Sequence, residues 1–218
     1  MKNKLVLLSL ILSLGALFVY SQKAVAATSV TGHKIVIDAG HGGSDPGSTM
    51  CEGKTEAEAN LEVAKLLQQK LEADTAFVYM TRDADETLDN RDRYTYANST
   101  DGEVLVSVHF NGSTDRTLNY TQGLYAKWKK DIDLASTIHN RLASELGIVN
   151  GGLLQFASGV ILKADMPATI QEVSFISHPD ECAGLLAGTR QAEIAESLYN
   201  GLVDWFGGSI LEAHPGRK

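Results

Sequence analysis

Short apolar segments alternate with amphipathic segments along most of the chain. Residues 34–38 and 104–109 are rich in β-branched and other apolar side chains, which is typical of strands buried on both faces of a sheet. Further segments of this kind are bounded by glycine or by charged residues. The predicted strands are residues 34–38, 77–81, 104–109, 123–128 and 168–172.

The amphipathic segments predict helices. Thr55 and Glu58 form a T-x-x-E capping box, and apolar side chains then recur every three or four residues as far as Leu71. A second periodic segment ends at Gly147, a residue that commonly terminates helices. The predicted helices are residues 56–71, 88–97, 132–146 and 190–206.

This order of elements predicts an α/β fold: a single domain with a mostly parallel twisted sheet flanked by helices on both faces. The sequence contains no internal repeat, no linker rich in proline or serine and no low-complexity block. We therefore assign residues 27–218 to one domain.

The first 26 residues have the pattern of a secretory signal peptide. Lys2 and Lys4 precede an apolar run over residues 5–20, and the small residues Ala24 and Ala26 provide a cleavage site after Ala26. An uncleaved membrane anchor is the alternative, because this run approaches the ~17 residues that a spanning helix needs. A cleaved signal predicts a secreted or periplasmic protein with no stable membrane insertion.

The charge balance excludes one class of partner. The formal net charge is −8, whereas a nucleic-acid-binding surface needs clustered Lys and Arg. No nucleic acid is therefore expected as a partner. Cys51 and Cys182 are the two cysteines; an oxidising compartment allows them to form a disulfide, but sequence leaves paired and free thiols equally open.

Side chains that can bind metal or move protons collect at one edge of the predicted sheet. His41 follows the first strand, His109 ends the third, and Glu172 ends a later one. Glu56 lies in the first turn of the helix that runs back from the same edge. Since ligands bind outside the carboxyl ends of parallel strands, we expect these four side chains to share one site.

Two imidazoles and a carboxylate make a His2Glu donor set, which binds zinc and leaves a position for water. We predict one zinc ion held by His41, Glu56 and His109, although such sites admit other divalent ions. Zinc lowers the pKa of a bound water to about 7. Glu172 can take the proton of that water and return it to a leaving amine.

Longer segments around these residues carry a resemblance to a known family. They read IVIDAGHGGSDPG over residues 35–47, EAEANL over 56–61, SVHFN over 107–111 and MPATIQEVSFISHPDE over 166–181. In order and spacing, the chain resembles the zinc-dependent N-acetylmuramoyl-L-alanine amidases of the amidase-3 type, which cut bacterial peptidoglycan.

The resemblance implies hydrolysis of the amide between N-acetylmuramic acid and the L-alanine of the stem peptide. It matches His41, Glu56 and His109 to the family's zinc ligands and Glu172 to its catalytic glutamate. Two alternatives remain: a secreted zinc peptidase acting on wall peptides, and a non-catalytic peptidoglycan-binding protein on the same fold. Retention of all four residues favours an enzyme.

Some family members carry a long insertion after the second histidine, with a helix that blocks the zinc until a partner removes it. Here residues 111–167 are accounted for by predicted core elements and loops. We therefore expect no obligate activator.

The chain also departs from the family pattern beside Glu172. Gln171 and Ser174 are unusual neighbours, and we expect Gln171 to alter the pKa of Glu172. His178 is expected to start a helix. Arg82 and Arg91, which match a family segment beginning T-R-D, are expected to be structural.

Overall fold

The computed structural model describes residues 29–208. The predicted signal peptide, residues 1–26, lies outside the described residues. The structure therefore does not test whether it is cleaved. Among the helices of residues 29–208, none combines the length and apolarity required to span a bilayer.

Within residues 29–208 the chain forms one sheet of six strands, with the order β2-β1-β3-β6-β4-β5. The strands are β1 (Lys34–Ala39), β2 (Phe77–Met80), β3 (Val104–Asn111), β4 (Tyr120–Tyr125), β5 (Val149–Gln155) and β6 (Ala168–Phe175). The helices are α1 (Glu56–Ala73), α2 (Asn90–Ser99), α3 (Trp128–Glu145), α4 (Gly159–Lys163), α5 (Pro179–Ala187) and α6 (Thr189–Gly208).

The strand directions confirm a mostly parallel α/β sheet. Strands β2, β1, β3 and β6 are mutually parallel, whereas β4 is antiparallel to β6 and parallel to the edge strand β5. The structure differs from the sequence prediction in several details. Strand β5 and the short helix α4 were not predicted. Strand β4 begins and ends three residues earlier than predicted, at Tyr120 and Tyr125, and α3 begins at Trp128 and not at residue 132.

Apolar side chains cover both faces of the sheet. Ile35 and Ile37 of β1 belong to one buried cluster, which includes Leu67 of α1. Val36, between them, belongs to a second cluster with Ile161 of α4. Because neighbouring strand residues point to opposite faces, the unbroken apolar run in β1 is explained by helices on both sides.

The start of α1 is fixed by the capping box that the sequence predicts. The Thr55 backbone N–H donates to Glu58 Oε2 at 2.7 Å, and the Glu58 N–H donates to Thr55 Oγ1 at 3.2 Å. Glu56 is consequently the first residue of the helix. Cys51, in the preceding loop, forms a disulfide with Cys182 of α5, which decides the pairing that sequence left open.

Candidate metal centre and active site

Three side chains of the predicted metal-binding type converge at the carboxyl edge of the sheet. His41 Nε2 lies 3.0 Å from Glu56 Oε1, and His109 Nδ1 lies 3.1 Å from the same oxygen. One ligand atom from each residue lies within 4.8 Å of the other two. A single metal ion can therefore contact all three, and two imidazoles with a carboxylate are a donor set that fits a divalent transition metal.

Each of the three side chains comes from a different element. His109 lies in β3, Glu56 begins α1, and His41 follows β1 with a φ of 58°. A left-handed backbone is uncommon for a residue other than glycine and persists only where the surroundings hold it. Arg93 Nη2 donates to the carbonyl of His41 at 2.8 Å and so stabilises this turn.

Two glycines of the GHGGSDPG loop let the backbone contact the ligand side chains. A Cβ on Gly40 would lie 2.2 Å from His109 Nε2, and a Cβ on Gly47 would lie 2.6 Å from Glu56 Oε2. Both distances are far below van der Waals contact. A side chain at either position would displace a candidate ligand, which explains why glycine is needed there.

Asp45 orients His41 through the ring nitrogen that does not face Glu56. Its Oδ2 lies 2.8 Å from His41 Nδ1, and its Oδ1 accepts from the Gly47 N–H at 3.1 Å. A carboxylate on the far nitrogen fixes the imidazole tautomer and leaves Nε2 free for a metal. Sequence reasoning did not single out Asp45, although its place four residues after His41 in a tight loop was the available signal.

The charges of the site favour a bound cation. Glu56 is 4% exposed; its burial raises the pKa, but the hydrogen bonds with His109 and His41 hold the pKa of Glu56 well below its usual range. The hydrogen bond to Glu56 in turn raises the pKa of His41 to about 9, with Asp45 contributing. For His109, burial lowers the pKa, but the Glu56 hydrogen bond and the Glu172 charge raise it overall. The site therefore keeps an ionised carboxylate, and a metal must compete with protons for its histidines.

Glu172 lies next to His109 on the adjacent strand. The two residues are register partners between β3 and β6. Within residues 29–208, Glu172 Oε2 is buried and has no hydrogen-bond partner. Burial raises the pKa of Glu172, and the charge of His109 opposes the rise only in part. Because burial raises its pKa, this carboxylate accepts a proton more readily than an exposed glutamate does.

A cleft of about 440 Å³ gives access to these groups. His41, His109 and Glu172 all line it, so the candidate metal centre and the candidate base face the same space. One wall is apolar and includes Phe156, whose side chain is 51% exposed. The apolar wall is formed by Leu124, Phe156, Val160 and Ile170.

Two buried arginines hold the loop that carries His41. Arg82 donates to the carbonyls of Ala39 and Gly40 at 2.8 Å each. Arg93 donates to the Asp38 carboxylate at 2.8 Å, and Asp38 is fully buried. The arginines thus fix the end of β1, where the loop that carries His41 begins.

The sequence prediction was right for Arg82 and wrong for Arg91. Arg91 is exposed on α2, and Arg93, which is 4% exposed, takes the structural role. The signal in the sequence was helical spacing: Arg93 lies one turn before the buried Ala97, so both belong to the inner face of α2.

Gln171, one of the unusual neighbours of Glu172, does not line the cleft. Gln171 points to the opposite face of the sheet, where its Nε2 donates to the Ala135 carbonyl of α3 at 3.3 Å. It is absent from the interactions that shift the pKa of Glu172, so the expected effect on that pKa was wrong. His178 is the N-cap residue of α5, as predicted.

The geometry can be compared with known proteins. The sequence profile of the N-acetylmuramoyl-L-alanine amidase family, Amidase_3, matches residues 35–204. The chain belongs to this family. Membership confirms the predicted family and reaction class, and it favours a peptidoglycan amidase over the peptidase and binding-protein alternatives.

Two proteins of Bacillus subtilis are similar to this chain in sequence. The amidase LytC of Bacillus subtilis is 28% identical over 180 residues, which cover 81% of this chain and 36% of LytC. YqiI of the same organism, an uncharacterised protein, is 30% identical over 186 residues, which cover 84% of this chain and 89% of YqiI. This chain thus spans about a third of the length of LytC.

The fold agrees with a solved amidase. The catalytic domain of CwlV, an N-acetylmuramoyl-L-alanine amidase of Bacillus (Paenibacillus) polymyxa var. colistinus, is similar with a TM-score of 0.75 at 28% identity, covering 79% of this chain and 97% of that domain. A cell-wall amidase family and a disulfide are together consistent with an extracytoplasmic location.

Proposed function

We propose that this protein hydrolyses the amide between N-acetylmuramic acid and L-alanine in peptidoglycan. The reaction would use one zinc ion held by His41, Glu56 and His109. Glu172 would act first as the catalytic base and then as the acid. The observation that carries the proposal is the convergence of the three ligand atoms within 4.8 Å of one another, beside a buried carboxylate with no partner among residues 29–208.

The metal would be held by Nε2 of His41, Nδ1 of His109 and the carboxylate of Glu56. When bound, a zinc ion supplies Lewis acidity, which lowers the pKa of water and stabilises negative charge on a carbonyl oxygen. Asp45 keeps the His41 tautomer that presents Nε2, and the loop glycines keep the backbone close. The protein's own contribution is thus a preformed, correctly protonated donor set.

Glu172 moves the proton in both halves of the reaction. Its carboxylate accepts a proton from the attacking water, whose oxygen forms a bond to the lactyl carbonyl carbon. The same proton then passes from Glu172 to the alanine nitrogen as the C–N bond breaks, because an amine leaves poorly without protonation. The products are a carboxylate on the sugar side and a stem peptide with a free amino terminus.

The surroundings of the cleft support activity without a partner. The chain between β3 and β6 forms β4, α3, β5 and the short helix α4, and His41, His109 and Glu172 line a cleft that these elements leave accessible. We infer that no activator is needed. We also infer that residues 1–26 are removed on export and that residues 27–218 act as an amidase-type catalytic domain in the cell envelope.

Metal content and turnover of matched variants test the assigned roles. We expect Glu172→Gln to keep one zinc per chain and to lower turnover by about 10²- to 10⁴-fold, since general acid–base catalysis contributes that much. His41→Ala and His109→Ala should instead lose zinc.

The control for these variants is His33→Gln, a histidine outside the cleft that pairs with Glu103. It should keep both zinc and turnover. Loss of zinc in Glu172→Gln, or full zinc in His41→Ala, would overturn the assignment.

A further inference from the structure

Glu172 has a second strand neighbour besides His109. In the antiparallel pairing of β4 with β6, Gln122 lies directly opposite Glu172, and Leu124 lies opposite Ile170. His109, Glu172 and Gln122 therefore form a row across three adjacent strands. Neither the motif comparison nor the metal geometry assigns a role to Gln122.

The residues next in sequence show which face Gln122 occupies. A Cβ on Gly123 would lie 3.3 Å from the Ala135 carbonyl of α3, and Gln171 donates to that same carbonyl. Gly123 and Gln171 thus face α3. Since successive strand residues alternate between faces, Gln122 lies on the same face of the sheet as Glu172, which lines the cleft.

Leu124 and Ile170 support the same orientation. Each lies two residues from the Gln122–Glu172 pair along its own strand, and both line the cleft. Gln122 is half-buried, so its side chain stands beside the cleft and not in open solvent.

Among the described residues, neither side chain of this pair has a hydrogen-bond partner. Glu172 Oε2 is buried with no hydrogen bond among the described residues, and within residues 29–208 the Gln122 amide forms no hydrogen bond either. Directly opposed residues of an antiparallel pair have Cβ atoms about 4.5–5.5 Å apart, within the reach of two long side chains. At this spacing, rotation about the side-chain bonds can bring a glutamine amide to an opposed carboxylate.

We propose that Gln122 is a positioning residue for the amidase reaction, whose Nε2 donates a hydrogen bond to Glu172 Oε2 and holds that carboxylate between the attacking water and the leaving nitrogen. The proposal rests on the proposed role of Glu172. A primary amide suits this position because it donates to a carboxylate but does not titrate. It therefore orients Glu172 without competing for the proton in transit.

The kinetic test uses Gln122→Met, which keeps the length of the side chain and removes its donor. We expect kcat to fall about tenfold or more, because a hydrogen bond to a charged group is lost, while KM stays within about twofold and zinc content is unchanged. Gln122→Glu should not restore kcat, since an ionised carboxylate cannot donate.

The matched control is Thr121→Val, a nearly isosteric change on the same strand but on the opposite face, where Thr121 is fully buried. It should leave kcat unchanged. A Gln122→Met enzyme with wild-type kcat would overturn the proposal, and so would an increase in KM alone, which would make Gln122 a substrate-binding residue.

A spectroscopic readout separates this proposal from the proposed function. In ¹H–¹⁵N spectra of the zinc-loaded wild-type protein, the side-chain amide of Gln122 is assigned by its absence in Gln122→Met. We expect one of its protons to resonate downfield and to move upfield in Glu172→Ala.

An amide signal that is unaffected by Glu172→Ala would overturn the role of Gln122 even if the enzyme is active. A wild-type protein that releases no stem peptide, but shows the expected shift, would overturn the proposed function and leave the hydrogen bond established.

Discussion

One carboxylate shared by two imidazoles sets the charge balance of the candidate metal centre. Glu56 Oε1 lies 3.0 Å from His41 Nε2 and 3.1 Å from His109 Nδ1. His41 also contacts Asp45, so its two ring nitrogens face two carboxylates. The orientation of His41 therefore depends on a residue that does not itself bind the metal.

We predict that Asp45→Asn weakens zinc binding by about 10- to 100-fold, because loss of the carboxylate behind a ligating histidine lowers its basicity and its orientation. Competition with a chromogenic chelator measures this change. Asp83→Asn is the matched control, since it makes the same change of charge at an exposed residue of a nearby loop. Equal zinc affinities of the two variants would contradict the role of Asp45.

Protons compete with the metal at His41. In the metal-free protein Glu56 raises the pKa of His41 to about 9, above the ordinary value of 6.5. The protonated ring therefore stabilises the metal-free fold fully below about pH 6.5, and this contribution is lost as the pH rises through about 9. Metal binding requires the neutral ring, so zinc affinity should fall about tenfold per pH unit below pH 9 for this proton alone.

Calorimetry detects the proton that zinc displaces. At pH 7.5, the heat of zinc binding to the metal-free protein should differ between buffers of different ionisation enthalpy, in the amount expected for release of at least one proton. His41→Ala should release fewer protons. Identical heats in all buffers would show that His41 is already neutral at that pH.

At the scale of secondary-structure elements, α2 holds the end of β1 through one buried ion pair. Arg93 of α2 contacts Asp38 at 2.8 Å, and the two side chains are 5% and 0% exposed. Burial raises the pKa of Asp38, but Arg93 and the hydroxyls of Ser107 and Thr81 lower it overall. This pair therefore keeps an ionised carboxylate inside the fold, next to the loop that carries His41.

We predict that Arg93→Ala lowers the free energy of unfolding by about 3–5 kcal/mol, because it leaves the Asp38 carboxylate buried without its cation. Arg91→Ala, an exposed arginine two residues earlier, should change it by no more than about 0.5 kcal/mol. Urea unfolding of the two variants measures the difference. Similar losses for both would contradict the structural assignment of Arg93.

Hydrophobic periodicity in the sequence was enough to predict the helices and strands whose apolar residues recur regularly. Helix α1 was predicted from Glu56 onward, because a capping box at Thr55 and an apolar stripe after it agree. Strand β5 was missed because Gly151 and Gly152 interrupt it and its register with β4 shifts at this point, so it has no alternating pattern. The direction of β4 could not be predicted from the sequence either, because a buried strand has the same residue pattern in either direction.

The residues of the candidate site were easier to predict from the sequence than the residues that surround and orient them. His41, His109 and Glu172 could be placed because each ends or follows a predicted strand, and parallel strands bring their carboxyl ends together. The position of Gln122 could not be predicted, because it lies opposite Glu172 only through the antiparallel pairing of β4 with β6. Arg93 was missed because the choice between it and Arg91 depends on which face of α2 is buried.

At the scale of the whole molecule, the disulfide joins the loop before α1 to α5. Cys51 and Cys182 are separated by 131 residues, so the bond closes most of the described chain into a loop. A long closed loop restricts the unfolded chain strongly. The same bond ties down the loop that precedes Glu56, a residue of the candidate metal centre.

We predict that the double variant Cys51→Ser, Cys182→Ser loses about 2–5 kcal/mol of unfolding free energy, as measured by urea unfolding under non-reducing conditions. A reductant should lower the stability of the wild-type protein and leave that of the double variant unchanged. A wild-type unfolding midpoint that does not respond to reductant would show that the disulfide contributes nothing to stability.

The most direct test of the account is the identity of the bond that the protein cuts. Purified peptidoglycan is incubated with the zinc-loaded protein, and the soluble products are identified by mass spectrometry and amino-terminal labelling, with Glu172→Gln as the control. The account predicts intact stem peptides with a free L-alanine amino group, absent from the control. Shortened peptides that lack L-alanine, or equal products from Glu172→Gln, would contradict it.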